Sequence, residues 1–257
     1  MNTKWVYVDE SGTPPRQRNA WAGYFALTAV ALNDAGAAQA VLRTAFSMLQ
    51  HRVGTSEADR VVRRGYFHAS EDTPVVRRFF LAVMADLNFH CRIAIFDPTC
   101  SPPGRTCYDA LVTEIFAEML PPGIPADVME VTIALRGGQS GITGKGAEFE
   151  SLFSSVRRHL EDRFPAIAGQ MPDKHPVKHI AYRDDSCLQL PDYCGWAVRR
   201  WRVANGTQWL SLLRPRGPGW RDDQDNVVLP PRHEALYVTA GHVTGVDFFC
   251  GLPGPQT

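Results

Sequence analysis

Lysine is nearly absent from this chain, with four residues against 23 arginines in 257. Such a skew follows codon bias as readily as it follows a need for phosphate-gripping guanidinium groups, so alone it selects no ligand. Net charge is missing too, since 27 basic residues balance 27 acidic ones. A global pull toward nucleic acid or anionic membrane is therefore excluded, and any such surface must be a local patch. No run approaches the roughly 18–20 consecutive apolar residues of a membrane span. Met1-Asn2-Thr3-Lys4 leads straight into an apolar strand, with no hydrophobic leader between, which predicts a cytoplasmic protein. Six cysteines (Cys91, Cys100, Cys107, Cys187, Cys194, Cys250) include no Cys-x-x-Cys pair. They are expected as reduced, mostly buried thiols, and zinc is not expected. What remains is an ordinary globular composition without repeats, long enough for one large α/β domain or two small ones.

Trp5-Val-Tyr-Val-Asp9 is a short apolar strand stopped by the turn cluster Ser11-Gly12-Thr13-Pro14-Pro15. A second β-rich run, 23–32, suggests an antiparallel hairpin with a long loop. A helix follows from Asp34, with Val41, Leu42, Ala45 and Leu49 inward. Gly65-Tyr66-Phe67-His68 reads as a short strand. The next helix is capped by Asp72 or Thr73, has Pro74 in its first turn, and repeats Val76, Phe79, Phe80, Val83, Met84 and Leu87 at helical spacing. Further strands are predicted over 91–96, 128–135 and 177–182, and further helices over 108–119, 146–163 and 188–201. Beyond Gly206, prolines break the pattern. Residues 1–205 thus read as one α/β domain, a mixed β-sheet flanked by helices on both faces, and 206–257 as a loop-rich extension packed on it.

Sheets of this kind place reactive groups at the carboxyl ends of strands, where Asp9 and Asp97 stand. Side chains alternate along a strand, so Trp5, Tyr7 and Asp9 share one face. Glu10 joins Asp9 only if the strand has already bent at that point. Asp-Glu-Ser-Gly also suits a plain turn, as does Asp97-Pro98. On the last helix, Gln189, Asp192, Trp196 and Arg199 share a face by the three- and four-residue rule, with Tyr193, Ala197 and Trp201 packed. Asp192 in a first turn also suits the helix dipole. Asp184 and Asp185 flank that helix as metal ligands or as caps. Glu148 and Glu150 line the first turn of their helix. His68 can orient a water or leaving group, an imidazole being suited to proton transfer, or be structural. Lys145, in Gly141-Ile-Thr-Gly-Lys-Gly146 before a helix, is placed to bind phosphate, although the glycine spacing is not that of a P-loop. Arginine pairs 63/64, 77/78, 157/158 and 199/200 suit a nucleic-acid track or solvated helix faces.

Three motifs, in order, carry a resemblance: Tyr7-Val-Asp-Glu-Ser-Gly12, Phe67-His68-Ala69-Ser70 before a helix, and Asp185-Ser-Cys-Leu-Gln189-Leu-Pro-Asp192-Tyr-Cys-Gly-Trp-Ala197. Together they resemble the family catalogued as domain of unknown function 3800, over roughly residues 4 to 203. Two positions depart from it. Pro191 stands where alanine is usual, and the strand ending at Leu135-Arg136 lacks an acid often found there. The resemblance implies a ribonuclease-H-like fold, with Asp97 on a strand beside the first. It further implies Mg²⁺ or Mn²⁺ held by Asp9, Asp97 and Asp192, with Glu10 and Asp185 in support and His68 assisting. Gln189, Arg199 and Lys145 would contact substrate. Such metals activate a water and stabilise the leaving oxygen of a phosphodiester. The expected function is a metal-dependent nuclease acting on DNA or RNA. A second helix offers only Asp86 near its end where ribonuclease H sites carry a glutamate, and this gap favours the alternative: an inactive binding or accessory protein of the same fold.

Overall fold

The structure, a computed structural model, describes residues 3–12, 24–96, 128–134, 177–204, 207–213, 237–239 and 243–250, together with residues 115 and 158. Strand β1 (Thr3–Gly12) pairs antiparallel with β2 (Phe25–Leu32), as the hairpin pattern predicts, with Asp9 directly opposite Thr28. Strand β3 (Phe89–Phe96) lies antiparallel on the far side of β2. Strand β4 (Val128–Ala134) runs parallel to β1 on its other side, and β5 (Val177–Ile180) runs parallel to β4.

Two expectations fail here. The strand leading to Asp97 is β3, and it neighbours β2 rather than β1. On its other side β1 neighbours β4, which ends in Ala134; the one acid of β4, Glu130, lies opposite Trp5, away from the strand's carboxyl end, and pairs with Lys178 at 2.9 Å. In the C-terminal region, β6 (Tyr237–Thr239) and β7 (Val243–Cys250) are not loop: β7 pairs with β3, extending one sheet of seven described strands in the order β5-β4-β1-β2-β3-β7-β6. Gly245 in mid-strand and the preceding prolines masked the signal.

Alternation assigns the faces. Tyr7, Ala26, Val30, Cys91, Ile93 and Ile95 pack on the described helices in one core. Val6, Val8, Leu27, Ala29 and Ala94 point to the other face and are equally buried. Of the helices expected over 108–119 and 146–163, Ile115 is helical and buried and Arg158 helical and exposed. The remainder lies outside the described residues.

Helix α1 (Ala35–Val53) starts where Asp34 Oδ1 accepts from the Ala37 N–H at 2.8 Å, and it buries Leu42, Ala45 and Leu49. Val41 is 40 % exposed instead of inward. Helix α2 (Thr55–Arg64) is not among the elements expected from the sequence: Ala58, Val61 and Val62 share one face, but they are few and only Ala58 and Val61 are buried. Gly65 ends it at φ +85°, a conformation that side chains resist. Residues 65–68 follow as a turn, a bend and irregular chain without strand pairing.

Helix α3 (Pro74–Ala85) is capped by Thr73, with Val76, Phe80, Leu81 and Met84 buried. After β5, a short 3₁₀ turn (Ser186–Leu188) leads into α4 (Gln189–Ala204). Pro191 falls in the first turn of α4, where proline's missing N–H breaks no helical bond. Helix α5 (Thr207–Leu212) carries Trp209, whose ring meets Trp196 edge-on at 5.1 Å. The Phe80 ring lies 4.4 Å from both Phe67 and Tyr193, tying α3, the 65–73 segment and α4 together. Among the described residues, no helix is long and apolar enough to cross a membrane.

Candidate carboxylate site

Because β1, β4 and β5 are parallel, their carboxyl ends share one edge of the sheet, and Asp9 stands there. Helix α4 crosses this edge closely. A Cβ on Gly195 would meet Thr28 Oγ1 at 2.6 Å, with Ser11 Cβ at 3.5 Å. Only glycine permits that approach, and it brings Asp192, one turn earlier, toward Asp9. Both carboxylates are raised well above the usual carboxylate range. For Asp9 the causes are burial, then the Asp192 charge, opposed by the Tyr182 hydroxyl and the Glu10 N–H. For Asp192 they are burial, then the charges of Asp72 and Glu71, opposed by the Ala69 N–H and Arg64. Two acids drawn from opposite ends of the chain are thus held where ionising both is costly.

Tyr182, which no motif flags, follows β5 and hydrogen-bonds Asp9. Burial pushes its phenol well above the normal range, so it remains a donor. Its ring stacks on Tyr66 at 5.6 Å and 13°. The second motif surrounds the same place. Phe67 N–H donates to Gln189 Oε1 at 3.0 Å, His68 N–H to Asp72 Oδ2 at 2.9 Å, and Ala69 N–H to Asp192 Oδ2 at 2.7 Å. Asp72, with its side chain fully buried, also bonds the Arg64 guanidinium and the Tyr193 hydroxyl. Arg77 closes the segment from outside, with Nε on Ala69 O at 2.6 Å and Nη2 on Ser70 O at 3.1 Å.

His68 Nδ1 lies 3.1 Å from Ser70 Oγ and 3.8 Å from Asp192 Oδ2. Both contacts use the same nitrogen. A Ser-His-Asp relay needs the serine and the carboxylate on opposite nitrogens, so this cluster is not a nucleophilic triad.

The expected site therefore assembles only in part. Asp9, Asp192 and His68 come together. Glu10 does not join them, because β1 stays paired through Gly12 and alternation turns that side chain to the other face. Asp185 caps the 3₁₀ turn through the Cys187 N–H and accepts from Gln39 Nε2 at 3.1 Å. It lines a neighbouring cleft of about 250 Å³ with Arg43, Phe46, Phe67 and Tyr182. Gln189 is 4 % exposed and anchors Phe67, a structural duty where substrate contact was expected. Arg199 is exposed on α4, its guanidinium 6.0 Å from the Tyr24 ring. Asp86 is exposed at the end of α3. Asp97, Lys145, Glu148 and Glu150 lie outside the described residues.

Among the described residues, no three His, Cys, Asp or Glu side chains form a metal-sized cluster. The Asp9–Asp192 pair by itself is a hard oxygen donor set. It fits Mg²⁺ or Mn²⁺, which commonly take one or two carboxylates and complete their shell with water and phosphate oxygens. No family model matches the chain, and no curated protein matches it.

Proposed function

We propose that this chain is a divalent-metal-dependent phosphodiesterase of ribonuclease-H-like fold, cleaving nucleic acid at the Asp9–Asp192 pair. One observation carries the reading: α4, seated closely on β1 and β2 at Gly195, brings the largely buried Asp192 within electrostatic reach of the buried Asp9 at the carboxyl edge of a parallel strand set, and both are raised by burial and like charge. A cation between them would relieve that repulsion. The mixed sheet, with four described strands in antiparallel pairing on one side of β1 and two parallel ones on the other, supports the fold assignment.

In this reading Asp9 and Asp192 hold Mg²⁺ or Mn²⁺, which when bound activates a water and stabilises the leaving oxygen. Tyr182 orients Asp9 through its hydroxyl. Asp192 offers Oδ1, since Oδ2 is engaged by Ala69. His68 serves as general acid only as the imidazolium, giving the Nε2 proton to a departing oxygen while Nδ1–H donates to Ser70 Oγ, 3.1 Å away. A second reading rests on that same Ala69 bond: Asp192 is a loop anchor in a non-catalytic binding protein. Incubation with Mn²⁺ and single- and double-stranded DNA and RNA separates the two. Cleavage by the native chain that disappears in Asp9→Asn supports the enzyme, and no cleavage of any substrate supports the binding protein.

A further inference from the structure

The fold sorts the four arginine pairs. Arg64 is committed to Asp72 and Glu71, and Arg157 lies outside the described residues. Arg77 from α3 and Arg200 from α4 converge on one indole: the Arg77 guanidinium carbon stands 4.5 Å from the Trp196 ring centre and that of Arg200 5.9 Å from it. Arg199, next to Arg200 on α4, lies 6.0 Å from the Tyr24 ring. No ion pair between described residues uses Arg77, Arg199 or Arg200. Asp72 and Asp192 attract Arg77 while Arg200 repels it, and an anion arriving at the exposed Arg199 and Arg200 lowers that repulsion.

The position of this cluster narrows the anion. Trp196 follows Asp192 by four residues, about 6 Å along the helix axis. Ala69 links the two places directly, since its N–H serves Asp192 and its carbonyl accepts from Arg77. Guanidinium forks match phosphate oxygens, and stacking on Trp196 holds them with little freedom left to lose. Trp196 itself is 8 % exposed and is covered by the arginines, so no base can stack on it. The contacts available are to backbone phosphates, which position a strand without reading its sequence.

We infer that Arg200, gathered with Arg77 around Trp196, and its exposed neighbour Arg199 form a docking surface for the phosphate backbone of nucleic acid, about one helical turn from Asp192. The surface rests on the phosphodiesterase reading for its substrate, but it is tested without metal or turnover. Binding of a fluorescein-labelled, mixed-sequence single-stranded DNA is followed by anisotropy over a salt series for native protein, Arg199→Ala/Arg200→Ala, and Arg52→Ala on α1 as control. Both arginines of the double variant are exposed, so its fold is expected to persist, and a circular dichroism melt verifies that. The double variant should bind on the order of tenfold more weakly. Its log-affinity against log-salt slope should fall by about 1.4, the release of two counterions from a single strand. The Arg52→Ala control should match native protein. Phosphatidylserine vesicles and polyglutamate serve as competitors, and neither should displace the DNA at equal charge. Absent DNA binding, a slope unchanged in the double variant, or preference for vesicles or polyglutamate would overturn the inference. Failure here leaves the carboxylate pair to its own metal tests, so the two ideas fall separately.

Discussion

The Ala69 N–H donates to Asp192 Oδ2 at 2.7 Å, joining segments 123 residues apart. It is one of three consecutive amides, at Phe67, His68 and Ala69, that end on side chains instead of a strand neighbour. Two of the acceptors, Gln189 and Asp192, sit one turn apart on α4, and the third, Asp72, is held by Tyr193 from the same helix. The Phe-His-Ala-Ser and Gln-x-x-Asp-Tyr motifs are therefore two halves of one interlock. The site owes its shape to that interlock before any ligand arrives.

Asp72 is its electrostatic centre. Asp72→Ala strands the half-buried Arg64 and frees both the His68 amide and the Tyr193 hydroxyl. Breaking a buried pair from one side costs about 3–5 kcal/mol, so urea unfolding should show a loss of that order. Tyr193→Phe removes one hydrogen bond to the charged group and should cost about 1.5–3 kcal/mol.

Gln189 separates anchoring from substrate contact. Gln189→Leu leaves the buried Phe67 N–H without an acceptor, at about 1–3 kcal/mol. Hydrogen exchange at Phe67 should accelerate with it, while metal-free DNA affinity stays at the native value. A drop in affinity with unchanged exchange would restore Gln189 to the substrate surface.

The contact of Gly195 with Thr28 sets how closely α4 approaches Asp9. Gly195→Ala should destabilise the fold by about 1–3 kcal/mol through overpacking. Thr28 Oγ1 has no hydrogen-bond partner among the described residues, so Thr28→Ala removes the obstruction cheaply. The double variant should recover at least about 1 kcal/mol relative to additivity in a thermodynamic cycle.

Much of this was legible beforehand, and the misses share a cause. The β1–β2 hairpin, α3 and α4 announce themselves through periodicity, caps and Pro74. Residues 65–68 mimic a strand because Tyr66 and Phe67 look apolar locally, whereas the Phe67 amide finds its acceptor on Gln189, 122 positions away. Helix α2 is short and rich in charge, and its narrow apolar face of Ala58, Val61 and Val62 is easily passed over. Asp9 and Asp192 were found as strand and helix ends, but Tyr182, a lone aromatic after a short strand, carries no local signal. The placement of β3 beside β2 was missed because adjacency in a mixed sheet depends on crossover connections and not on strand sequence.

Acidity adds a dependence of determinate sign. Raised carboxylates keep their protons in the folded chain through a window where the unfolded chain, ionising near pH 4, has released them. The folded state holds more protons there, so metal-free stability should fall as pH climbs from about 4 toward neutrality. Metal binding displaces those protons, so stabilisation by Mn²⁺ should grow over the same range. Melting curves across that range, with and without Mn²⁺, check both slopes.

The account stands or falls on whether Asp9 belongs to a metal-holding pair, and the melting temperature of native protein and Asp9→Asn near neutral pH, with and without Mn²⁺, measures that directly. At a hundredfold excess over the dissociation constant the ion should stabilise the native chain by about 2.7 kcal/mol, a rise of several degrees. Asp9→Asn removes one of two repelling charges at nearly constant volume, so without metal it should melt at or above the native temperature, and its Mn²⁺ shift should vanish. A variant that melts lower yet keeps the full Mn²⁺ shift would contradict the account and leave Asp9 as a structural carboxylate.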